Sequence, residues 1–153
     1  MIRFLGNIEA KMDAKARVFV PAAFRKILQS SAQEVLILRK DIFQDCLVLY
    51  PEYVWEEAVA ELRARLNRWD KAQQSLFRQF VVDAERLEMD ANGRILIPRR
   101  YCQMVGINSE VRFLGVDNTI EIWAKDALGK TLLPADDFGS SIEALMSNNL
   151  QND

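Results

Sequence analysis

The hydrophobic pattern of this chain repeats itself at a constant offset. The segment MDAKARVFVP begins at Met12, and the closely similar MDANGRILIP begins 77 residues later, at Met89. Behind each segment, three apolar residues follow at i, i+3, i+4 spacing, which predicts a short helix with proline at or near its first turn. The trios are Phe24, Ile27 and Leu28 in the first copy and Tyr101, Met104 and Val105 in the second. Gly106 then marks the expected end of the second helix.

Each predicted helix is followed by two apolar stretches that are typical of strands. They read EVLILR and CLVLYP in the first copy, joined by KDIFQD, and EVRFLGV and TIEIWA in the second, joined by DN. The order strand, turn, strand, helix, strand, turn, strand is therefore predicted twice. Because a unit of roughly 45 residues buries little apolar surface alone, we expect the copies to share one core in a pseudo-twofold body.

The segment between the copies has a helical pattern. Apolar residues recur at helical spacing from Pro51 to Asn67 and again from Trp69 to Phe80, which predicts a helical hairpin. Its apolar face could cover the sheet or meet a neighbouring subunit, and we favour the sheet. The residues after 130 are acidic and weakly periodic, so we expect a flexible tail in which SSIEALMS could form a brief helix. The expected division is a first repeat over 1–53, the hairpin over 54–81, a second repeat over 82–130 and the tail over 131–153.

Composition excludes several classes of function. The chain has no histidine, which removes the serine–histidine–aspartate triad, cysteine–histidine pairs and histidine zinc sites. Cys46 and Cys102 belong to no CxxC pair, so both are expected to be buried as small hydrophobic residues. No apolar run approaches the roughly 18 residues that cross a bilayer, and the amino terminus lacks the apolar region of a signal peptide. We therefore expect a soluble cytoplasmic protein, and no cofactor.

The charge is unevenly distributed along the chain. The formal net charge is −2, yet six basic and two acidic residues give residues 1–28 a net charge of +4. Residues 90–105 carry +2, whereas residues 134–153 carry four acidic residues and no basic one. Both copies of the repeated segment are thus locally basic regions in an acidic chain. A polyanion would be attracted to them even though the net charge of the whole chain is negative.

Each copy of the segment holds an aspartate four residues before an arginine: Asp13 before Arg17, and Asp90 before Arg94. An aspartate at the start of a turn accepts backbone N–H bonds, and an arginine offers a planar fork that could pair with that carboxylate. An arginine that faces outward could instead bind phosphate or guanine. The crowding of Lys11, Lys15 and Arg17 in one short hairpin favours the second role for the arginine, since like charges repel unless a polyanion is present. The two aspartates could in principle act as paired catalytic carboxylates. No nucleophile, metal cluster or phosphate loop accompanies them in the sequence, so an enzyme is not expected.

The two turns differ at one important position. The second contains Asn92-Gly93, a strong tight-turn signal because both residues accept a positive φ. The first has Lys15-Ala16 at the same places. Alanine is unfavourable at positive φ, so the first turn is expected to be strained, differently shaped, or of a type that needs no left-handed residue.

These segments make the chain similar to the MraZ family over roughly residues 1–130. The similarity is carried, in order, by MDAKARVFVPAAFRKIL, CLVLYPEYVWEEAVAEL, MDANGRILIPRRY and TIEIWAKDAL. It implies two tandem swapped-hairpin domains of the AbrB/SpoVT type, hence a mainly β, α+β fold with a barrel-like body and the helical hairpin between the repeats. The family usually has glycine where this chain has Ala16, so the departure concerns the shape of the first turn.

The resemblance also implies a function. It implies a transcriptional regulator of the bacterial cell-division and cell-wall gene cluster that binds double-stranded DNA at short promoter direct repeats as a ring-shaped homo-oligomer, in the cytoplasm at the nucleoid. The residues expected to contact DNA are Lys11, Lys15, Arg17 and Arg94, and the turn-shaping residues are Asp13, Asp90, Asn92 and Gly93. The alternative is an AbrB-like structural or interaction module, antitoxin-like or a scaffold, whose basic turns bind an acidic protein and no specific DNA site.

Overall fold

The computed structural model describes residues 2–151, so Met1, Asn152 and Asp153 of the predicted first repeat and tail lie outside the described residues. The strands are β1 Phe4–Lys11, β2 Arg17–Phe19, β3 Val35–Lys40, β4 Leu47–Pro51, β5 Glu85–Glu88, β6 Arg94–Leu96, β7 Glu110–Asp117 and β8 Thr119–Ala124. The α-helices are α1 Ala22–Ser30, α2 Glu52–Arg65, α3 Lys71–Val82, α4 Arg99–Val105 and α5 Ala135–Gln151. A short 3-10 helix spans Leu128–Thr131. No helix of the described residues is long and apolar enough to cross a membrane.

The strands of the two repeats interleave in one antiparallel sheet. Its order is β1-β7-β8-β4-β3-β5, and β2 pairs with β6 in a separate two-stranded ribbon. Strand β1 of the first repeat pairs along eight residues with β7 of the second, and β5 of the second pairs with β3 of the first. The order reads the same when β1 and β5, β3 and β7, and β4 and β8 are exchanged, as a pseudo-twofold body requires. The predicted α+β class with two tandem repeats is confirmed, although the six-stranded sheet stays open at β1 and β5 rather than closing into a barrel.

The two repeats contribute to a single hydrophobic core. Phe24 and Leu28 of α1 are fully buried, as are Tyr101 and, almost fully, Val105 of α4. Met104, the remaining member of the second predicted trio, is instead 39% exposed. Helix α4 ends at Gly106, whose φ of 72° is the left-handed cap that the sequence predicted. Cys46 and Cys102 are free and buried, and burial raises the pKa of both thiols.

The root of the α2–α3 hairpin packs on the sheet. The Trp55 ring stacks on Phe80 with 5.0 Å between centroids, and the Arg39 guanidinium lies 4.9 Å from the same Phe80 ring. Arg39 Nε also donates to the carbonyl oxygen of Phe80 at 2.7 Å. Because Arg39 belongs to β3, this side chain ties the end of α3 to the sheet. Trp69, at the far end of the hairpin, is 87% exposed.

The tail forms a helix where the sequence predicted a flexible segment. Helix α5 extends well beyond the brief helix expected over SSIEALMS. Two local features stabilise its first turn. The N–H of Phe138 donates to the carbonyl oxygen of Pro134 at 2.9 Å and opens the first turn, and Asp136 and Asp137 lie in that turn, where negative charge is favourable. The described side chains of α5 are exposed.

Candidate nucleic-acid interface

In each of the two repeated segments, the aspartate carboxylate accepts hydrogen bonds from three N–H groups of the following turn. We call this arrangement the aspartate bracket. In the first turn, residues 13–17, Asp13 Oδ1 accepts hydrogen bonds from the backbone N–H groups of Lys15 and Arg17, both at 2.9 Å. Asp13 Oδ2 accepts from Arg17 Nε at 2.8 Å. The Ala16 N–H donates to the Asp13 carbonyl oxygen at 3.0 Å and closes the turn.

The second turn, residues 90–94, repeats this arrangement bond for bond. Asp90 Oδ1 accepts from the backbone N–H groups of Asn92 and Arg94, both at 2.9 Å, and Oδ2 accepts from Arg94 Nε at 2.9 Å. The Gly93 N–H donates to the Asp90 carbonyl oxygen at 3.0 Å. The aspartate therefore shapes the turn, and the ion pair considered above is formed in both copies.

The bracket fixes both the charge of the aspartates and the direction of the arginines. The backbone N–H of Arg17 lowers the pKa of Asp13, and that of Arg94 lowers the pKa of Asp90, so both carboxylates are ionised at neutral pH. Each arginine has its Nε committed to the carboxylate, yet the side chains of Arg17 and Arg94 remain 34% and 23% exposed. Each arginine is thus oriented by the turn while part of its side chain remains accessible to solvent.

The two turns differ in backbone strain at one position. Ala16 has a φ of 63°, and Gly93 has a φ of 86°. The first turn is therefore not reshaped to avoid the left-handed region; it has the same form as the second, with an alanine in the unfavourable conformation. That conformation costs an L-residue roughly 1–2 kcal/mol.

The side chain of Arg25 lies close against Gly93 in the second turn. A Cβ added at Gly93 would lie 2.5 Å from Arg25 Cδ and 2.7 Å from Arg25 Nη1. Arg25, from α1 of the first repeat, therefore lies against the second turn and adds positive charge there. The charge of Arg25 is part of the +4 of residues 1–28, but the sequence did not indicate that Arg25 lies at the site. Arg25 corresponds to Cys102 at the offset of 77 residues, so nothing in the repeat itself pointed to this contact.

The strain at Ala16 leads to a prediction on stability. We expect Ala16→Gly to raise the free energy of unfolding by up to about 1 kcal/mol, because relief of roughly 1–2 kcal/mol exceeds the added entropy of glycine in the unfolded chain, roughly 0.4–1 kcal/mol. Urea unfolding at fixed protein concentration measures the change. Ala14→Gly is the matched control, since Ala14 lies in the same turn without a positive φ and should lose stability. A loss of stability in Ala16→Gly equal to that of the control would contradict the strain.

The ribbon of β2 and β6 joins the two turns into one surface. Val18 and Ile95 face each other at its centre and are buried. The Val20 N–H donates to the Gly93 carbonyl oxygen, and the Ile97 N–H to the Ala16 carbonyl oxygen, both at 3.0 Å. These two bonds are equivalent at the offset of 77 residues, so a turn stands at each end of the ribbon.

The outward face of the ribbon is basic and apolar. It presents Arg17, Phe19, Arg94 and Leu96, and the Arg94 guanidinium lies 5.7 Å from the centroid of the Phe19 ring. Because Arg17 pairs with Leu96, Arg17 and Arg94 are diagonal neighbours, which places their Cα atoms roughly 7–8 Å apart. Two arginines from distant parts of the sequence are thereby brought onto one face.

The remaining predicted residues lie near this face in different ways. Lys15 is exposed in the first turn, and Asn92 is exposed in the second. Lys11 is exposed at the end of β1, where its backbone partner is Glu110, and the carboxylate of Glu110 pairs with Lys125 at 3.4 Å. Two other arginines serve the fold: Arg100 bonds Glu85 at 2.9 Å, and Arg112 bonds Glu9 at 2.7 Å. We name the surface formed by β2, β6 and the two turns the basic ribbon.

Comparison with known proteins agrees with this architecture. The profile of the MraZ protein family, which is described as antitoxin-like, matches residues 3–79 and 80–131. A "Transcriptional regulator MraZ" of Bacteroides fragilis is 62% identical over 146 residues, covering 95% of this chain and 92% of that protein. One from Bacteroides thetaiotaomicron is 54% identical over 153 residues, covering 100% and 98%. A more distant one, from Shewanella oneidensis, is 36% identical over 124 residues, covering 81% of each.

The two matched segments coincide with the two halves of the interleaved sheet, and each contains one bracketed turn. The similarity to the relatives extends over almost the whole chain, including the hairpin between the repeats. The chain therefore belongs to the MraZ family.

Proposed function

We propose that this protein is a sequence-specific transcriptional regulator that binds double-stranded DNA through the basic ribbon. The observation that carries the proposal is the placement of Arg17 and Arg94 on one face by two identical aspartate brackets. The major groove of B-DNA admits a two-stranded β-ribbon, and an arginine fork matches guanine and phosphate acceptors. Lys15 and Arg25, at opposite ends of the ribbon, are suited to the flanking phosphates. The names of the relatives support a regulator, and the proposed place of action is the cytoplasm, at the nucleoid.

The proposal includes a ring-shaped homo-oligomer that binds short direct repeats in a promoter. One subunit with one short ribbon makes few phosphate contacts, so its own affinity for DNA is weak. A ring that presents several ribbons at fixed spacing gains affinity through effective concentration when the sites are repeated. This arrangement lets a chain of net charge −2 bind a polyanion. The proposed target is the cell-division and cell-wall gene cluster, as the family resemblance implies.

The units of the chain then have separate tasks. The repeats over 1–53 and 82–130 form the DNA-binding body and supply one turn each. The hairpin over 54–81 and the tail over 131–153 lie outside that body in sequence and supply surfaces for assembly. Catalysis has no part in this function, and no small-molecule substrate, cofactor or membrane is needed for it.

A second function is favoured by one observation, the antitoxin-like description of the family. In this alternative, the body is an interaction or scaffold module and the basic ribbon binds an acidic segment of another protein. The bracketed arginines suit a carboxylate as well as a phosphate. The two functions differ in whether the order of the bases affects binding.

Titration of labelled duplexes separates the two functions. The duplexes are a fragment from upstream of the protein's own gene with its direct repeats, the same fragment with one repeat left, and a scrambled duplex of equal length. For a regulator, we expect binding to the repeats to be at least about tenfold tighter than to the scrambled duplex, and a steep loss of affinity with salt. Equal, weak binding to all three duplexes would overturn the proposal and favour the interaction module.

A further inference from the structure

The tip of the α2–α3 hairpin carries an open groove with an apolar floor and a cationic rim. The groove has a volume of about 680 Å³. We name it the hairpin groove, and its principal lining residues are Arg63, Leu66, Arg68, Phe77, Arg78 and Val81. The Arg63 guanidinium lies 5.5 Å from the centroid of the Phe77 ring, so the cationic rim overhangs the apolar floor.

The charge of the hairpin groove is not balanced within the chain. Over the described residues, no carboxylate forms an ion pair with Arg63, Arg68 or Arg78. The nearby pair of Arg65 and Glu61 lies outside the lining. Three guanidinium groups without an ion pair, around the half-buried apolar side chains of Leu66, Phe77 and Val81, leave a surface that favours an acidic, amphipathic occupant.

Helix α5 has the complementary surface. Four of its side chains, at i, i+4, i+7 and i+8, form one apolar stripe, and each is between 44% and 58% exposed. They are Phe138, Ile142, Leu145 and Met146. Asp136 and Glu143, seven residues apart, flank the stripe on one side, and residues 134–153 contain no basic residue. The spacing is that of a helix that binds in a groove through its apolar face.

An exposed helix of this kind is weak by itself. Most helical stability in proteins comes from packing of an apolar face against other elements. Helix α5 has 17 residues and an interior glycine, Gly139, which costs roughly 1 kcal/mol relative to alanine. Its own hairpin groove does not cover it, because the described side chains of α5 are exposed and the groove is lined by hairpin residues alone.

We propose that α5 of one copy of this chain docks in the hairpin groove of the next copy. The apolar stripe would cover Leu66, Phe77 and Val81, and the acidic flank would meet the arginine rim. Both halves of the interface are present on every copy and lie on different surfaces, so the contact is head-to-tail. Head-to-tail contacts that close generate rings. The inference rests on the proposed ring and names the contact that forms it.

The test uses two full-length variants that each remove one half of the interface. Ile142→Glu places a charge in the apolar stripe, and Arg78→Glu reverses one rim charge in the groove. We expect both to sediment as the 17.6 kDa chain at concentrations where the unmodified protein forms a large assembly. Matched controls are Ala144→Glu, on the opposite face of α5, and Lys71→Glu, on the hairpin outside the groove lining; both should retain the large assembly. Circular dichroism establishes that all four are folded.

Mixing the two variants gives the sharper result. A head-to-tail contact leaves one intact interface between an Ile142→Glu copy, which keeps its groove, and an Arg78→Glu copy, which keeps its α5. We therefore expect the mixture to form a species of two chains and nothing larger. Retention of the large assembly by either variant alone, or a mixture that stays monomeric, would overturn the docking.

The same measurements separate the docking from the wider proposal. If the unmodified protein is a monomer, both the ring and the docking fail. If it is a large assembly that Ile142→Glu leaves intact, only the docking fails. If the variants are monomers that still bind the one-repeat duplex with the affinity of one subunit, the docking is supported and the basic ribbon is independent of it.

Discussion

Arg17→Ala is expected to lower the affinity for the promoter duplex more than tenfold while leaving the protein folded. The variant removes an oriented guanidinium from the basic ribbon, and in a ring it does so once in every subunit. The first turn should persist, because Asp13 still accepts the backbone N–H groups of residues 15 and 17 at their present distances of 2.9 Å. Fluorescence anisotropy with the duplexes described above measures the affinity, and thermal unfolding measures the fold.

Two further variants distinguish a local effect from a general loss of charge. Arg65→Ala removes the same charge from α2, far from the basic ribbon in sequence and 76% exposed, and should leave binding within about twofold of normal. Arg17→Lys keeps the charge but not the planar fork. If Arg17 binds a base, the lysine variant should lose discrimination between specific and scrambled duplexes; if it binds phosphate, the lysine variant should bind nearly as the unmodified protein does. Normal binding by Arg17→Ala would show that the basic ribbon is not the DNA-binding surface.

The local elements of this fold were predictable, because they depend on short spacings. The i, i+3, i+4 trios gave α1 and α4, and Gly106 gave the end of α4. The alternation and turn signals gave the strands in their order. The pairing of β1 with β7, on the other hand, joins residues about a hundred positions apart, and no local pattern specifies such a partner. The shared core could be expected from the size of the units, but the interleaving that produces it could not be derived from spacing alone.

The candidate site was predictable in its residues and only partly in its geometry. The repeated motif identified Asp13, Arg17, Asp90 and Arg94, and turn chemistry gave the roles of the two aspartates. That the arginine both pairs with the aspartate and keeps an exposed part was not foreseen, because the two roles were treated as alternatives. The contact of Arg25 with the second turn was missed because it depends on how α1 packs across the pseudo-twofold axis. The full length of α5 was not predicted. Its polar composition is typical of a flexible segment, and its few apolar residues were too widely spaced to indicate a long helix.

Phe24→Ala is expected to have the largest effect on stability, lowering the free energy of unfolding by about 3–5 kcal/mol. Phe24 is fully buried, and its ring meets Phe4 edge to face at 5.7 Å between centroids. Alanine would leave a cavity in the core that both repeats share. Because domains of this size have only about 5–15 kcal/mol of stability in total, this is a large fraction of it. Phe43→Ala is the matched control, since Phe43 is 86% exposed in the turn between β3 and β4 and should change stability little.

The way in which Phe24→Ala unfolds tests whether the repeats are one cooperative unit. Phe24 belongs to the first repeat, whereas Trp123 is buried in β8 of the second. Because the strands are interleaved, neither repeat has a complete sheet of its own. The stability lost in Phe24→Ala should therefore lower the unfolding midpoint around Trp123 as much as it lowers the midpoint of the first repeat. Urea unfolding in a Trp55→Phe, Trp69→Phe background, in which Trp123 is the remaining tryptophan, should give coincident transitions by fluorescence and by far-ultraviolet circular dichroism, at a lower midpoint and at one protein concentration. Two separated transitions, with the second repeat retaining its original midpoint, would mean that the repeats fold independently and that their common core contributes little to either.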